Sequence, residues 1–449
     1  MMKWLDERLH VSKLMDSLFD HPVPKNSNLL DYLGFATLFV FINQALTGIL
    51  LATVYKPSAA EAYASIKAIQ GSVTGEYVRS LHSWGANFMV VLIVLHLLRV
   101  FYEGSYKKPR ELTWVMGGVL LIGTIGLAFT GYLLPWDQVG YWATTVGTAM
   151  AAYVPGIGNF LLRVMRDGVQ VSGATLTRFY SMHMLVLPVI ILLAFLPHIF
   201  FVLRQGMAVT DKLTQAKERG EDVESKSIPF WPNVALWMIL VVLVIAIALW
   251  ALAGLYPVGL GDPADALNKN KFIPEPAWYF FGIYQMLKYF PGNLDALAMI
   301  GLPLIAMIVL FGLPWFDHNP NKSPRKRPVA LSVAGILVVG MVFLTYQGMS
   351  SVPKAIATTG VVDHPSYAKN IDPIFQSKCV TCHGKSGNYS VQNYDSTIKN
   401  VVPGNPAGSK LMTRIDGTQK PQMPMGLEPL SNDQIQTIKN WIQDGAKNN

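Results

Sequence analysis

Seven apolar runs, each long enough to cross a bilayer, constrain this chain more than any other feature. They lie near residues 33–54, 80–102, 114–134, 180–202, 233–255, 296–316 and 329–348. About twenty apolar residues in helical form match the thickness of the hydrocarbon layer. Inside that layer no water can satisfy a bare backbone, so each run is expected to be a helix. Composition agrees with an integral membrane protein. Hydrophobic residues make up 51% of the chain and charged residues 14%, against about 25% charged in a soluble domain. The mean hydropathy is +0.32.

The formal charge of +8 does not point to nucleic acid, because the basic residues cluster in short loops between apolar runs. Lys107-Lys108-Pro109-Arg110 and Lys322 with Arg325-Lys326-Arg327 are examples. Loops of this kind mark the inner side of a membrane. The stretches near 103–113, 203–231 and 317–328 are therefore expected inside, with the N-terminus inside and, after seven crossings, the C-terminus outside. No cleavable signal peptide is apparent at the start. Trp4, Leu5, Leu9, Leu14, Met15, Leu18 and Phe19 fall near one helical face, which predicts an amphipathic helix on the membrane surface.

Two outer loops are longer, near 135–179 and 256–295, and long loops often carry function. Residues 351–366, with Pro353 and Pro365, read as a linker. Beyond it, residues 367–449 are polar. Ile435, Ile438, Trp441 and Ile442 carry the spacing of a closing amphipathic helix.

The chemistry begins with histidines inside the spans. His82 and His96 on the second span are fourteen residues apart, and His183 and His198 on the fourth are fifteen apart. Fourteen helical residues rise about 21 Å and return nearly to the starting face. The two spans are antiparallel. His82 should therefore meet His183 at one level, and His96 should meet His198 at the other. Ionisable groups buried in a membrane are functional by default, and this geometry makes two bis-histidine haem sites stacked across the bilayer. Gly34 and Gly48 on the first span, and Gly117 and Gly131 on the third, repeat the fourteen-residue spacing. Glycine leaves room for a haem edge against a helix, though it also lets membrane helices pack closely. Arg79 and Arg99 lie one turn beyond His82 and His96, toward the membrane surfaces. They are placed either to pair with haem propionates or to snorkel to the interface.

Cys379-Val380-Thr381-Cys382-His383 is the attachment motif of a c-type haem. The two cysteines would form thioether bonds and His383 would be one axial ligand. The second ligand is expected to be Met423, with Met425 and Met412 as rivals. Met/His ligation raises the haem potential. A redox-active cysteine pair is the competing reading of Cys379 and Cys382. The adjacent histidine and the lack of a thioredoxin-like pattern argue against it.

These residues carry a family resemblance. Residues 1–206 resemble cytochrome b of the quinol-oxidising cytochrome bc family, in its shorter plastid and cyanobacterial form. The matching stretches are WLDERL at Trp4, VRSLHSW at Val78, KKPRELTW at Lys107, GYLLPWDQVGYW at Gly131 and TLTRFYSMH at Thr175. Residues 228–350 resemble the companion three-helix subunit, and the remainder is similar to a class I cytochrome c. The resemblance implies an all-α membrane protein of four parts. Residues 1–206 would form a dihaem four-helix bundle, 207–350 a three-helix domain, 351–366 a linker and 367–449 a small all-α cytochrome c domain. It implies two b haems, one covalent c haem, and quinol and quinone as substrates. It further implies a Rieske iron–sulfur partner, an outside acceptor such as a soluble cytochrome c or an oxidase, surrounding lipid and a homodimer. The place would be a bacterial cytoplasmic membrane. Trp142, Trp278 and Tyr279 would stand at the outer quinol site.

The sequence departs from the family pattern at two places. Where the family has Pro-Glu-Trp-Tyr, this chain has Pro276-Ala277-Trp278-Tyr279. The glutamate that accepts a quinol proton is thus replaced by Ala277, and Glu275 is the nearby candidate base, or else a solvated loop charge. The plastid form also attaches an extra haem through a cysteine, and the matching position here is Tyr32, so no such haem is expected. Asp16 and Arg204 are candidates for proton delivery at the inner site by position.

Three functions compete. The first is an energy-conserving quinol:cytochrome c oxidoreductase subunit, active with its Rieske partner. The second is a dihaem anchor that passes electrons linearly between the quinone pool and a redox partner. The third is a redox-responsive sensing module. Asp137 in its PWDQ segment and the proline-rich outer loop favour the first.

Overall fold

The computed structural model describes residue 6 and residues 22–25, 28–205, 220, 222, 227–266, 276–290, 294, 296–350, 360–383, 390–419, 422–424 and 430–449. The expected N-terminal amphipathic helix, Asp16 and Glu275 fall outside the described residues. Among the described residues, seven helices are long and apolar enough to cross a membrane: α1 (Leu29–Ala52), α2 (Val73–Tyr102), α3 (Glu111–Tyr132), α4 (Gly173–Gln205), α5 (Phe230–Leu255), α6 (Leu297–Phe316) and α7 (Pro328–Ser350). They coincide with the seven apolar runs.

Two helices start earlier than their apolar stretches, and local capping explains why. Ser72 accepts a hydrogen bond from the Gly75 N–H at 3.1 Å, and Glu76 sits in the first turn of α2. Both satisfy or complement the open N–H groups of a helix start. α4 starts behind a capping box formed by Ser172 and Thr175.

Contacts divide the chain into two compact units, residues 1–264 with 286–342, and residues 265–285 with 343–449. In the first, α1 packs on α2 and α3 on α4, while α5 lies against α1 and α2 and α6 against α3. Exposed faces are apolar, as at Leu46, Ile49, Leu193 and Leu196. That inversion of the soluble pattern suits a lipid surround. Buried threonines return their hydroxyl hydrogens to their own helix: Thr124 to the Leu120 carbonyl at 2.8 Å and Thr130 to the Gly126 carbonyl at 2.8 Å.

α4 is not uniform. Met182–Val186 forms one π-helical turn, closed by the Leu187 N–H on the Met182 carbonyl. Pro188 follows directly. It has no N–H, and its ring crowds the carbonyl four residues back, so the chain widens there and absorbs one extra residue.

One end of this unit is held by the segment after α5. The Trp84 indole N–H donates to the Tyr256 carbonyl at 2.9 Å, Gln70 to Val258 at 2.8 Å and Tyr63 to Gly261 at 2.9 Å. At the other end an ion-pair cluster joins two loops. Lys107 pairs with Asp317 at 2.9 Å, and the Tyr106 hydroxyl also donates to Asp317. The fully buried Arg327 donates to Tyr106 Oη at 2.9 Å and to the Phe101 carbonyl at 3.0 Å. The basic loop residues that mark the inner side of the membrane in sequence are thus partly buried structural groups. A short antiparallel ribbon, β1 (Pro22–Pro24) with β2 (Ser227–Pro229), pairs Val23 with Ile228.

The second unit holds a helical C-terminal core. Tyr367, Ile371, Ile374, Phe375, Leu411, Ile415, Ile438, Trp441 and Ile442 are buried together. The closing helix Asn432–Gln443 starts from a capping box of Ser431 and Gln434, and the Trp441 indole donates to the Lys447 carbonyl at 3.0 Å.

Candidate functional site

The four intramembrane histidines come together in two pairs. His82 on α2 and His183 on α4 face each other with ring centroids 6.3 Å apart. His96 and His198 stand at the other end of the same helices, His96 against Gly34 on α1 and His198 against Gly117 on α3. Each histidine has its own glycine. A Cβ at Gly48 would lie 3.2 Å from His82 Cε1, at Gly131 2.6 Å from His183 Cε1, at Gly34 3.1 Å from His96 Cε1 and at Gly117 3.4 Å from His198 Cε1. Gly131, Gly34 and Gly48 therefore admit the imidazoles themselves against α1 and α3, a more specific task than leaving space for a haem edge, whereas a Cβ at Gly117 would make an ordinary contact.

The π turn reconciles the unequal histidine spacings. At about 100° per residue, a fifteen-residue step in a regular helix would turn His183 a full residue away from the face that a fourteen-residue step reaches. The extra residue in Met182–Val186 removes that offset.

The hydrogen bonds of the rings decide which nitrogen faces the gap. His183 Nδ1 lies 3.0 Å from the Leu127 carbonyl, and His198 Nδ1 lies 2.9 Å from the Thr113 carbonyl. A carbonyl only accepts, so Nδ1 carries the proton in both and Nε2 keeps its lone pair. Thr47 Oγ1 lies 2.9 Å from His82 Nδ1 and already donates its hydrogen to the Asn43 carbonyl at 2.6 Å, so it accepts from His82. This orientation is that of a metal-ligating histidine with its second nitrogen anchored.

A haem fits the His82–His183 pair. Two metal–imidazole bonds of about 2.0–2.1 Å and half a ring on each side sum to roughly 6 Å, close to the observed 6.3 Å. Among the described residues no three His, Cys, Asp or Glu side chains cluster to hold a bare ion. Two protein ligands per site suit an iron that brings its own porphyrin ligands.

The arginines have protein partners. Arg79 donates to the carbonyls of Val258 at 2.5 Å and Gly259 at 3.0 Å. Arg99 pairs with Asp31 and, at 2.8 Å, with Glu103. Glu103 lies at the i,i+4 spacing from Arg99, but Asp31 and Val258 lie on other elements and could not be read from spacing. Trp142, on the helix Gln138–Ala149, donates to Gln138 Oε1 at 2.8 Å and meets the Tyr141 ring edge-on. Asp137 caps that helix through the Gly140 N–H at 2.8 Å. Burial raises its carboxyl above the usual range, against the pull of the Gly140 and Gly261 amides and of Arg79. Arg204 is exposed near the end of α4, and Tyr32 is buried with Val23 and Val234.

In the second unit, Trp278 and Tyr279 open the turn Trp278–Phe280, their rings edge-on at 5.4 Å, directly after Ala277. Cys379 ends the helix Asp372–Lys378, and the His383 N–H bonds its carbonyl at 2.9 Å. Cys379 and Met423 pack against the same C-terminal core, whereas Met412 is buried within it. The side chain of Cys382 and all of Met425 fall outside the described residues. The sequence reading missed Thr47, Gln44 and Thr130. The signal was there, since a polar residue on an apolar helix facing a histidine at matched depth invites a hydrogen bond.

Comparison with known proteins gives the same answer as the geometry. The family model for cytochrome b/b6/petB matches residues 18–206, and that for the C-terminal part of cytochrome b/b6/petD matches residues 263–367. A cytochrome bc complex cytochrome b subunit of Chlorobaculum thiosulfatiphilum is 35% identical over 354 residues, covering 77% of this chain and 79% of the relative. Cytochrome b of Cereibacter sphaeroides is 31% identical over 366 residues, covering 77% and 82%. Cytochrome b6 of Synechococcus elongatus is 44% identical over 206 residues, covering 46% of this chain and 96% of the relative. A solved structure described as a hyperthermophilic respiratory Complex III superposes with a TM-score of 0.71 at 28% identity, covering 78% of this chain and 91% of that one. With two facing histidine pairs inside seven membrane helices, this chain belongs to the cytochrome b family of haem-binding, electron-transporting membrane proteins.

Proposed function

We propose that this chain is the electron-transferring core of a quinol:cytochrome c oxidoreductase, with His82 and His183 holding one b haem and His96 and His198 the other. The paired histidines, each matched to a glycine on the neighbouring helix, carry this reading. Bound there, the two haems supply one-electron relays stacked across the bilayer. The basic loops support an orientation with the His82 end outside and the His96 end inside.

At the outer end a quinol releases two protons and two electrons and becomes a quinone. One electron passes to a Rieske iron–sulfur partner and on toward a c-type centre. The other crosses the bilayer and, with protons from inside, serves to reduce a quinone at the inner end. Trp142, Trp278 and Tyr279 are the residues assigned to quinol oxidation, and Arg204 and Asp16 those assigned to proton uptake inside. Ala277 cannot take a proton, so Glu275 is assigned the role of general base, a role that requires a carboxylate within hydrogen-bond reach of the leaving proton, directly or through one water. On this reading the chain divides into a dihaem bundle at 1–206, a three-helix domain at 207–350, a linker at 351–366 and a fused cytochrome c domain at 367–449. In that last part Cys379, Cys382 and His383 attach a c haem, Met423 completes its ligation, and the domain acts as the high-potential acceptor before a soluble cytochrome or an oxidase. The packing of Cys379 and Met423 on one core supports that reading. The complex works as a dimer in a bacterial cytoplasmic membrane.

The substitution at Ala277 gives the linear dihaem anchor its one supporting observation. Oxidant-induced reduction decides between them. The purified complex, supplied with quinol and blocked at the inner site, receives an oxidant pulse. Transient reduction of the b haems is expected, and its loss in Glu275→Gln would assign the base. Oxidised b haems during steady turnover of the c haem would overturn the two-path mechanism in favour of the linear one.

A further inference from the structure

The two histidine pairs differ in what stands before their glycines. At the His82–His183 level the glycines follow threonines: Thr47-Gly48 on α1 and Thr130-Gly131 on α3. At the His96–His198 level they follow apolar residues: Leu33-Gly34 and Met116-Gly117. The same helices at the same fourteen-residue spacing thus present hydroxyls at one level only.

Both hydroxyls are turned to accept from a ring. Thr47 donates to the Asn43 carbonyl at 2.6 Å and receives His82 Nδ1–H at 2.9 Å. Thr130 donates to the Gly126 carbonyl at 2.8 Å and lies 3.3 Å from His183 Nδ1, which is also 3.0 Å from the Leu127 carbonyl. α1 grips His82 at a further point, where Gln44 Nε2 donates to the His82 carbonyl at 2.9 Å. At the other level His198 has the Thr113 carbonyl at 2.9 Å. No ring partner of His96 is found among the described residues.

We propose that Thr47, supported by Thr130, is a positioning residue that makes the His82–His183 pair the more electron-donating of the two and so lowers the potential of the haem held there. An acceptor on Nδ1–H raises the basicity of Nε2. A more basic ligand stabilises the oxidised iron over the reduced iron. Both Nδ1–H groups are held at the His82–His183 level, with that of His183 shared between Thr130 and the Leu127 carbonyl, against one at the other level. The difference in potential between the two haems is therefore written partly into two threonines on helices that supply no iron ligand.

The proposal rests on the dihaem reading, and one redox titration separates the two. The intact complex, followed in the b-haem absorption band, should show two waves. A single wave would sink the dihaem reading and the proposal with it. With both waves present, Thr47→Val, equal in shape but unable to accept, should raise the lower wave and leave the upper in place. Thr47→Ser should restore it. Thr130→Val should raise the same wave by less, because the Leu127 carbonyl still holds His183. If Thr47→Val does not retain its haem, Thr130→Val carries the test. An unmoved lower wave in the haem-loaded variant, or equal movement of both waves, overturns the role of the hydroxyls alone.

Discussion

A Cβ at Gly131 would stand 2.6 Å from His183 Cε1, closer than real contacts allow, whereas one at Gly117 would stand 3.4 Å from His198 Cε1, an ordinary contact. The two positions look alike in sequence, so the difference makes a sharp prediction. Gly131→Ala should displace His183 and lose the haem at that level, seen as about half the b-haem absorbance per complex. Gly117→Ala should keep both. Equal loss, or no loss, in the two variants would show that the glycines serve helix packing and not ligand placement. Asp137 makes a related point. Its carboxylate is half-buried, and it does a capping task for the helix that bears Trp142. Asp137→Asn keeps an acceptor for the Gly140 N–H and should fold, while Asp137→Ala should cost about 0.5–2 kcal/mol as a lost helix cap, measured by thermal unfolding of the purified complex.

At the level of elements, α4 shows how one irregular turn sets a site. Fifteen residues separate His183 from His198, and the π turn Met182–Val186 takes up the surplus. Removing Leu185, inside that turn, should let the helix become regular with fourteen residues between the histidines, and both haems should remain. Removing Leu193, in the regular part of α4, leaves the π turn in place and rotates one histidine by about 100° against the other. That variant should lose a b haem. Both leucines are exposed on the helix surface, so packing loss should be similar. Haem content per polypeptide measures the outcome, and equal retention in both would refute the role of the turn.

Across the whole molecule, Asp317 ties the loop after α2 to the loop between α6 and α7. Lys107 and Arg327, both buried, converge on it. Asp317→Asn would leave those cations without their counter-charge, and about 3–5 kcal/mol of stability should be lost. Burial pulls the Asp317 carboxyl upward, but hydrogen bonds from Tyr106 and Lys107 outweigh it and hold the group below the usual carboxylate range. A group depressed in this way contributes stability above its unfolded value, about 3.9 for Asp, and loses it as pH falls through the folded value. The parent complex should therefore keep this contribution at neutral pH and lose it only in strong acid. Thermal unfolding followed from neutral pH to below pH ~4 should show a steeper acid-side decline in the parent than in Asp317→Asn.

The sequence by itself determined the class of the molecule. Apolar runs of bilayer length leave only helices as a solution, and histidines at matched depth on two antiparallel helices leave few explanations besides paired ligands. Both follow from periodic local rules, and periodic rules are visible in one dimension. What the tertiary structure decided is where polar atoms find partners. That Arg99 meets Asp31, that Thr47 receives His82 and that Lys107 and Arg327 share Asp317 depends on which helix lies beside which. In a membrane a buried polar atom left without a partner is costly, and no rule of spacing along one helix can name an atom on another.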